Sequence, residues 1–514
     1  MSTGNINFSA VIRRFAIEDP KKEILVYKDK RYTRGQLQER VSALAKSLLN
    51  LGVKRHDVVA LLMYNCSEFF EVILAVNRIG AVFLPLNYRL ASEEIQYIVS
   101  NAEAVALFTE KEFQQSIDLE HHRMPDLRIK VTLSEKKSED WINHGELIQS
   151  NLGRDVLDAH VEMGELHRLM YTSGTTSLPK GVMLTYGNFY WKNMGLIWEF
   201  NIQPDDKALV VGPLYHVGGL DLSATATLYK GGSAVIVRKF NAAEFLKAVN
   251  SEKPTNTWAA PSMINMILQE PTIGSYDLSS LRYMIFGGER MPEPVMRKLL
   301  NYFPNCHPAD AYGMTETVGG DTYVEKQNVL TKLGSIGRPV IHLDMQIVDE
   351  DGNQVPRGTV GEIVMRGPKV MKGYWKNEEA TKKALRDGWL YSGDMGYEDE
   401  NGYFYIIDRK KDMIISGGEN ISSLEIERVL YQHPKVLEVA VVGTSHERWG
   451  EVPKAFVVVR PNEFLEKDEL IQFCDGKLAR FKIPKEIVFL DELPRNPSGK
   501  VLKRQLRQHK QPTY

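Results

Sequence analysis

The chain has 514 residues, 43% hydrophobic and 25% charged, with a formal net charge of -2 at pH 7. That is enough for two or three domains with a large buried core, and it excludes a disordered or membrane-embedded polymer. Its 64 Lys and Arg balance 66 Asp and Glu, so there is no basic excess to argue for nucleic-acid binding.

The opening stretch, MSTGNINFSAVIRRF, has no continuous apolar segment, and no later run reaches the roughly 18 apolar residues a spanning helix needs. The most apolar run, FFEVILAVNRIGAVFLPL, is broken by Glu71, Asn77 and Arg78. Three scattered cysteines, Cys66, Cys306 and Cys474, suit a reducing compartment and small buried roles rather than a metal knuckle. A cytoplasmic protein is expected, with membrane contact peripheral at most. From Arg34 to Gly52, the residues Leu37, Val41, Leu44, Ala45 and Leu48 share one helical face, with Gly52 placed to end the helix. VVALLM follows as a buried strand, then a further helix and strand, and the alternation recurs at TLYKGGSAVIV, AAEFLKAVN and LRYMIFGG. The pattern predicts an α/β fold of parallel sheets covered by helices.

Between two such segments lies YTSGTTSLPKG, residues 171–181. It differs from a Walker A loop, because Pro179 stands where the second glycine belongs and Gly181 replaces the magnesium-binding hydroxyl. Its chemistry still suits phosphate: hydroxyls of Thr172, Ser173, Thr175 and Thr176 can donate, Gly174 lets backbone N–H groups approach, and Lys180 brings charge. A solvated Ser/Thr/Gly loop would explain the composition, but not the flanking YTSG and PKG.

Past about residue 340 the period changes to two. DMQIVDEDGNQVP, VGEIVMRG and GYFYIIDR, with Asp-Gly and Asn-Gly turns, predict an antiparallel β subdomain over about 340–408. After it, Ser422 and Glu425 have capping-box spacing for a helix through Leu430, and VLEVAVVG and KAFVVVR follow as strands. The expected organisation is a large domain of stacked βα subdomains plus the β subdomain over 1–410, and a small mobile α+β domain over 411–514.

Six further motifs stand in order: PLYHVGG at 213–219, FGGE at 286–289, AYGMTE at 311–316, GWLYSGDMG at 388–396, DRKKDMIISGGENIS at 408–422 and PRNPSGK at 494–500. Together with the hydroxyl-rich loop they resemble the acyl-adenylate-forming superfamily of acyl-CoA synthetases, peptide-synthetase adenylation domains and firefly luciferase. Two positions depart from its pattern: Ser177 replaces a usual glycine, and Ser423 a frequent proline.

The resemblance implies that a carboxylate attacks the α-phosphate of ATP, giving acyl-AMP and pyrophosphate, and that the acyl group then passes to the thiol of CoA. It implies Mg²⁺ on Glu316, phosphate oxygens on Thr315 and the 172–176 hydroxyls, and adenine stacked on Tyr312 beside Gly313. The backbone of Gly287, Gly288 and Glu289 would line the other side of the base. Asp394 would take the ribose hydroxyls and Arg409 would help hold the nucleotide. Lys500, by composition one cation in a basic tail, would bridge carboxylate and phosphate during adenylation only. Lys411 would be the hinge that removes it, after which Gly417 and Gly418 would leave a tunnel for pantetheine. His216 would gate or bind the acyl group.

The position of His216 lacks the aspartate of amino-acid-activating relatives, although Asp221 lies nearby. Glycines 218, 219, 319 and 320 suggest open volume and hence a medium or long fatty acid. Aromatic, carnitine-type and bile-acid CoA ligases remain alternatives, as do a stand-alone enzyme loading a carrier protein, a luciferase-like oxidase and an inactive interaction protein. The last predicts decay at Lys500, Glu316 or Asp394, and all three are present.

Overall fold

The structure, a computed structural model, describes residues 4–135, 140–172, 178–288, 291–416, 419–495 and 500–509. The chain divides into two compact units, one drawn from Met1–Ser173, Pro179–Asp344 and Met365–Leu390, the other from Met345–Val364 and Tyr391–Tyr514. The residue expected to act as a hinge, Lys411, lies inside the second unit.

The first unit is built on two large sheets. In one, the strands Leu166–Thr172, Val82–Pro85, Val58–Leu62, Ala104–Thr109, Ile129–Thr132 and Ile142–Asn143 run parallel, and the short strands Lys180–Thr185 and Gly373–Tyr374 add antiparallel at the Leu166–Thr172 edge. The other has a parallel centre formed by His307–Tyr312, Tyr283–Gly287, Asn256–Trp258, Lys207–Val210, Ser233–Ile236 and Glu23–Tyr27. Apolar residues of both sheets meet in one core with the helices Phe8–Glu18, Arg34–Asn50 and Ser67–Arg78. The α/β expectation is met, and the helix from Arg34 ends where Gly52, at φ +84°, donates its N–H to Leu49.

That layering explains the interrupted apolar run. Every residue of Ser67–Arg78 except Glu68 is buried, because the helix is part of the core shared by two sheets rather than an amphipathic surface element. Its polar residues therefore carry partners, as buried charge requires. Glu71 receives Arg40 and lies 3.3 Å from His144 Nε2, and Arg78 donates to Ser9 at 3.0 Å, Gln38 at 2.7 Å and Asp158 at 3.2 Å.

In the second unit, Trp389–Glu398 and Phe404–Arg409 pair antiparallel in a sheet that also holds Gly361–Arg366 and Asp344–Val348. A second sheet follows, in which Val436–His446 and Gly450–Val459 pair antiparallel and Glu486–Phe489 joins parallel. The helix Ser423–Leu430 begins as its spacing predicts, with the Ser422 hydroxyl accepting from Glu425 N–H at 3.1 Å. That hydroxyl donates onward to the Ile407 carbonyl at 2.7 Å, and the Glu425 carboxylate takes Lys482. Ser423 is more than a tolerated departure: its N–H and hydroxyl both donate to buried Asp408, at 2.6 and 2.7 Å, and a proline there would have neither donor.

Candidate active site

In the first unit the strands Leu166–Thr172 and Lys180–Thr185, which flank the hydroxyl-rich sequence, run antiparallel, with Thr172 and Lys180 facing each other. A Walker A loop leads into a helix N-terminus; here the chain continues as the strand Lys180–Thr185, so the geometry agrees with the rejection of that motif. Gly181 is required because an added Cβ would lie 2.9 Å from the Tyr171 ring. Ser173, Gly174, Thr175 and Thr176, together with Ser177, lie outside the described residues, as do Glu289, Gly417 and Gly418.

Gly287 sits opposite Ala311 in the sheet, where a Cβ would fall 2.0 Å from the Ala311 carbonyl oxygen. Gly288 follows at φ +86°. Tyr312 ends the neighbouring strand, and Gly313 allows the chain to fold against itself: a Cβ there would meet Gly320 N at 2.5 Å. Between them Thr315–Thr317 form one 3₁₀ turn, Val318 is left-handed at φ +62°, and Asp321 N–H closes on the Tyr312 carbonyl at 2.7 Å. The turn is fixed from beneath by Lys369. Its ammonium donates to the carbonyls of Gly319 at 2.8 Å and Gly320 at 2.7 Å and pairs with buried Asp321 at 2.8 Å. Burial pushes the Asp321 carboxyl up, and Lys369 opposes that shift.

Glu316 stands on this turn. Its Oε1 accepts from the Tyr374 hydroxyl at 2.8 Å, and its backbone carbonyl accepts from Met371 N–H at 2.7 Å. The Tyr374 ring in turn lies under Lys180, whose Nζ is 5.2 Å from its centroid. Burial, then the neighbouring Glu316 carboxylate, raise the Tyr374 phenol, so it remains a donor. Thus Lys180, Tyr374 and Glu316 form one continuous constellation, which the sequence assembled only in part: Tyr374 and Lys369 were not among its candidates. MKGYWKN and RGPKV contained both, yet nothing in a tyrosine or lysine by itself signals a partner some 50 residues away.

His216 caps a short turn, accepting from Gly218 N–H at 3.1 Å, and its ring is 6.1 Å from that of Trp258. Here the expectation of open volume fails at Gly218, Gly219 and Gly320, whereas a Cβ on Gly319 would meet only ordinary contacts, with Val217 at 3.4 Å. A Cβ on Gly218 would meet the Trp258 indole at 2.5 Å, one on Gly219 the Pro213 carbonyl at 2.3 Å, and one on Gly320 the Tyr323 hydroxyl at 2.1 Å. These glycines, with Gly212, admit an indole and close backbone packing rather than leaving a channel, so they carry no argument for a long acyl chain. Asp221 is likewise committed, pairing with Arg168 at 2.7 Å and Lys192 at 3.3 Å. Burial pulls the Lys192 ammonium down to about 7 against the opposing influence of Asp221.

In the second unit Asp394 and Arg409 face each other on paired strands, with Arg409 Nε 2.6 Å from Asp394 Oδ1. The Ser392 hydroxyl accepts from Asp394 N–H at 3.0 Å and donates to the Ile363 carbonyl at 2.6 Å, which fixes the part of the strand carrying the acid. The Lys411 carbonyl accepts from Arg507 at 3.1 Å. Desolvation lowers the Lys411 ammonium, Asp412 opposes this, and nearby Arg409, Arg507 and Lys500 deepen it. Lys500 is exposed.

As to metal, the described residues hold no group of three or more His, Cys, Asp or Glu side chains placed to bind an ion together. One carboxylate, Glu316, beside the Tyr374 hydroxyl and near the Lys180 ammonium fits Mg²⁺, which keeps several waters and is bound through one or two carboxylates plus phosphate oxygens. Also among the described residues, no helix is long and apolar enough to cross a membrane.

The profile of the AMP-binding enzyme family matches residues 12–375, and that of the AMP-binding enzyme C-terminal domain matches 425–500. The chain is 37% identical over 505 residues to an indoleacetate–CoA ligase of Aromatoleum aromaticum, covering 98% of each chain. It is 38% identical over 476 residues to a feruloyl-CoA synthase of an Amycolatopsis species, covering 92% of this chain and 93% of that one. Among solved structures it is similar to the o-succinylbenzoate coenzyme A synthetase of Bacillus subtilis in complex with ATP and magnesium ion, with a TM-score of 0.87, 30% identity, and coverage of 96% of this chain and 98% of that one.

Proposed function

The chain belongs to the AMP-binding enzyme family and is an ATP-dependent acid–thiol ligase, and from that premise we propose that it activates an aromatic carboxylic acid and joins it to CoA. The observation that carries the choice of acid is the Trp258 indole packed against Gly218 beside His216, where open volume was expected. The activities named for the similar indoleacetate and feruloyl ligases support the same reading.

In this reading the acid's carboxylate oxygen attacks the α-phosphorus of ATP and pyrophosphate leaves; the CoA thiol then attacks the acyl carbon and AMP leaves. Carboxylate and triphosphate are both anionic, so the protein's task is positioning and charge compensation. Lys180, Thr172, Thr315 and the hydroxyls of 173–176 bind phosphate oxygens, Tyr312 stacks on adenine between Gly287, Gly288, Glu289 and Gly313, and Asp394 with Arg409 holds the ribose side. Glu316 would hold Mg²⁺, which when bound offsets phosphate charge. His216 and Trp258 wall the acyl group. Lys500 serves adenylation alone, Lys411 is the hinge that withdraws it, and Gly417 and Gly418 admit pantetheine.

The test is purified protein with ATP, Mg²⁺, CoA and a panel of arylacetic, cinnamic, benzoic and C8–C16 fatty acids, scored by AMP and thioester. The expected outcome is a kcat/KM for at least one aromatic acid well above that of every fatty acid; the reverse order would restore the fatty-acid reading. AMP formed with an acyl carrier protein but not with CoA would favour the carrier-loading alternative. Replacing Lys500 by Ala should cost about a hundredfold or more in carboxylate-dependent pyrophosphate exchange, while thioester formation from supplied acyl-AMP is largely retained.

A further inference from the structure

We infer that Tyr374 is the positioning residue for the metal-binding carboxylate, and that its one ring orders both the acid aimed at the metal and the lysine aimed at the phosphates. The inference rests on the assignment of Glu316 to the metal proposed above. Glu316 sits on a single 3₁₀ turn followed by a left-handed residue, a short element with little stiffness of its own. Segment 371–375 supplies the missing rigidity. Met371 N–H holds the backbone carbonyl of Glu316 at 2.7 Å, and the Tyr374 hydroxyl holds its Oε1 at 2.8 Å.

The same segment is stitched to the phosphate hairpin. Tyr374 pairs with Val182, and Trp375 N–H donates to the Gly181 carbonyl at 2.7 Å, one residue past Lys180. The hydroxyl thus ties Glu316 to the hairpin, while the ring, 5.2 Å from Lys180 Nζ, guides that lysine. Outer partners that orient a ligating carboxylate change metal affinity by roughly 10–100-fold when removed.

Ring and hydroxyl can be separated. Tyr374→Phe removes only the donor to Glu316 and keeps the ring under Lys180; Tyr374→Leu removes both. The measurement is calorimetric affinity for a non-hydrolysable ATP analogue with Mn²⁺ and again in EDTA, on the full chain, with the unfolding midpoint of each variant as a check on folding. The ratio of the two affinities reports metal coupling. Tyr374→Phe should reduce that ratio about tenfold or more and leave binding in EDTA unchanged. Glu316→Gln should abolish the ratio, the Tyr374→Phe/Glu316→Gln double variant should equal Glu316→Gln alone, and Tyr374→Leu should in addition weaken binding in EDTA. A parental ratio in Tyr374→Phe, with the ratio lost in Glu316→Gln, overturns the role of Tyr374 and spares the metal assignment. A parental ratio in Glu316→Gln overturns both, and a double variant weaker than Glu316→Gln shows that Tyr374 acts elsewhere.

Discussion

Two acid–base pairs, one in each unit, have the same chemical ingredients and opposite settings. Lys369 and Asp321 are 3% and 0% exposed and 2.8 Å apart, whereas Arg409 is 47% exposed over an Asp394 that is 4% exposed. The first pair is spent on the protein itself, since the Lys369 ammonium also takes two backbone carbonyls of the Gly319–Gly320 turn. The second keeps its cation in water, where it can exchange a protein partner for a ligand at small cost. Burial therefore separates a cation spent on the protein's own backbone from one that stays at the surface, even though each is paired with a buried aspartate.

The contrast is sharpest in stability. Lys369→Ala leaves a buried carboxylate uncompensated and should cost about 3–5 kcal/mol in chemical unfolding. Lys369→Met combined with Asp321→Asn should recover most of that loss. A cost for Lys369→Ala as small as that of an exposed pair would erase the distinction.

A third pair, Lys192 with Asp221, extends the comparison to pH. The unfolded lysine keeps its proton to an ordinary value near 10.5, while the buried one has released it above about 7. Over that window the unfolded state binds more protons, so stability from this group rises with pH, by at most about 1.4 kcal/mol per unit. Unfolding free energies of the parent and of Lys192→Met/Asp221→Asn at pH 7, 8 and 9 should therefore differ in slope. Parallel slopes would mean that Lys192 stays charged in its burial site.

The smallest stability effect is expected at the exposed pair. Arg409→Gln should change unfolding free energy by no more than about 1 kcal/mol, yet lower nucleotide affinity measurably by calorimetry. A loss of stability comparable to that of Lys369→Ala, with nucleotide binding retained, would make Arg409 a structural residue and break the comparison from the other side.

The sequence by itself determined the α/β alternation, the helix that Gly52 ends, the Ser422 cap and the motif positions carrying glycine, hydroxyl and acid. Each is written in a short window, through helical period, left-handed turns or backbone approach. The same windows misjudged the glycines near His216, because an absent side chain looks identical whether the space it leaves is open or filled by Trp258 from another strand. Tertiary structure alone decided that Tyr374 meets Glu316, that Lys369 holds a turn 49 residues earlier in the chain, and that Asp221 is occupied by Arg168 and Lys192. Such partners are selected by how distant segments cross and by the need to satisfy buried charge, and no local pattern encodes that crossing.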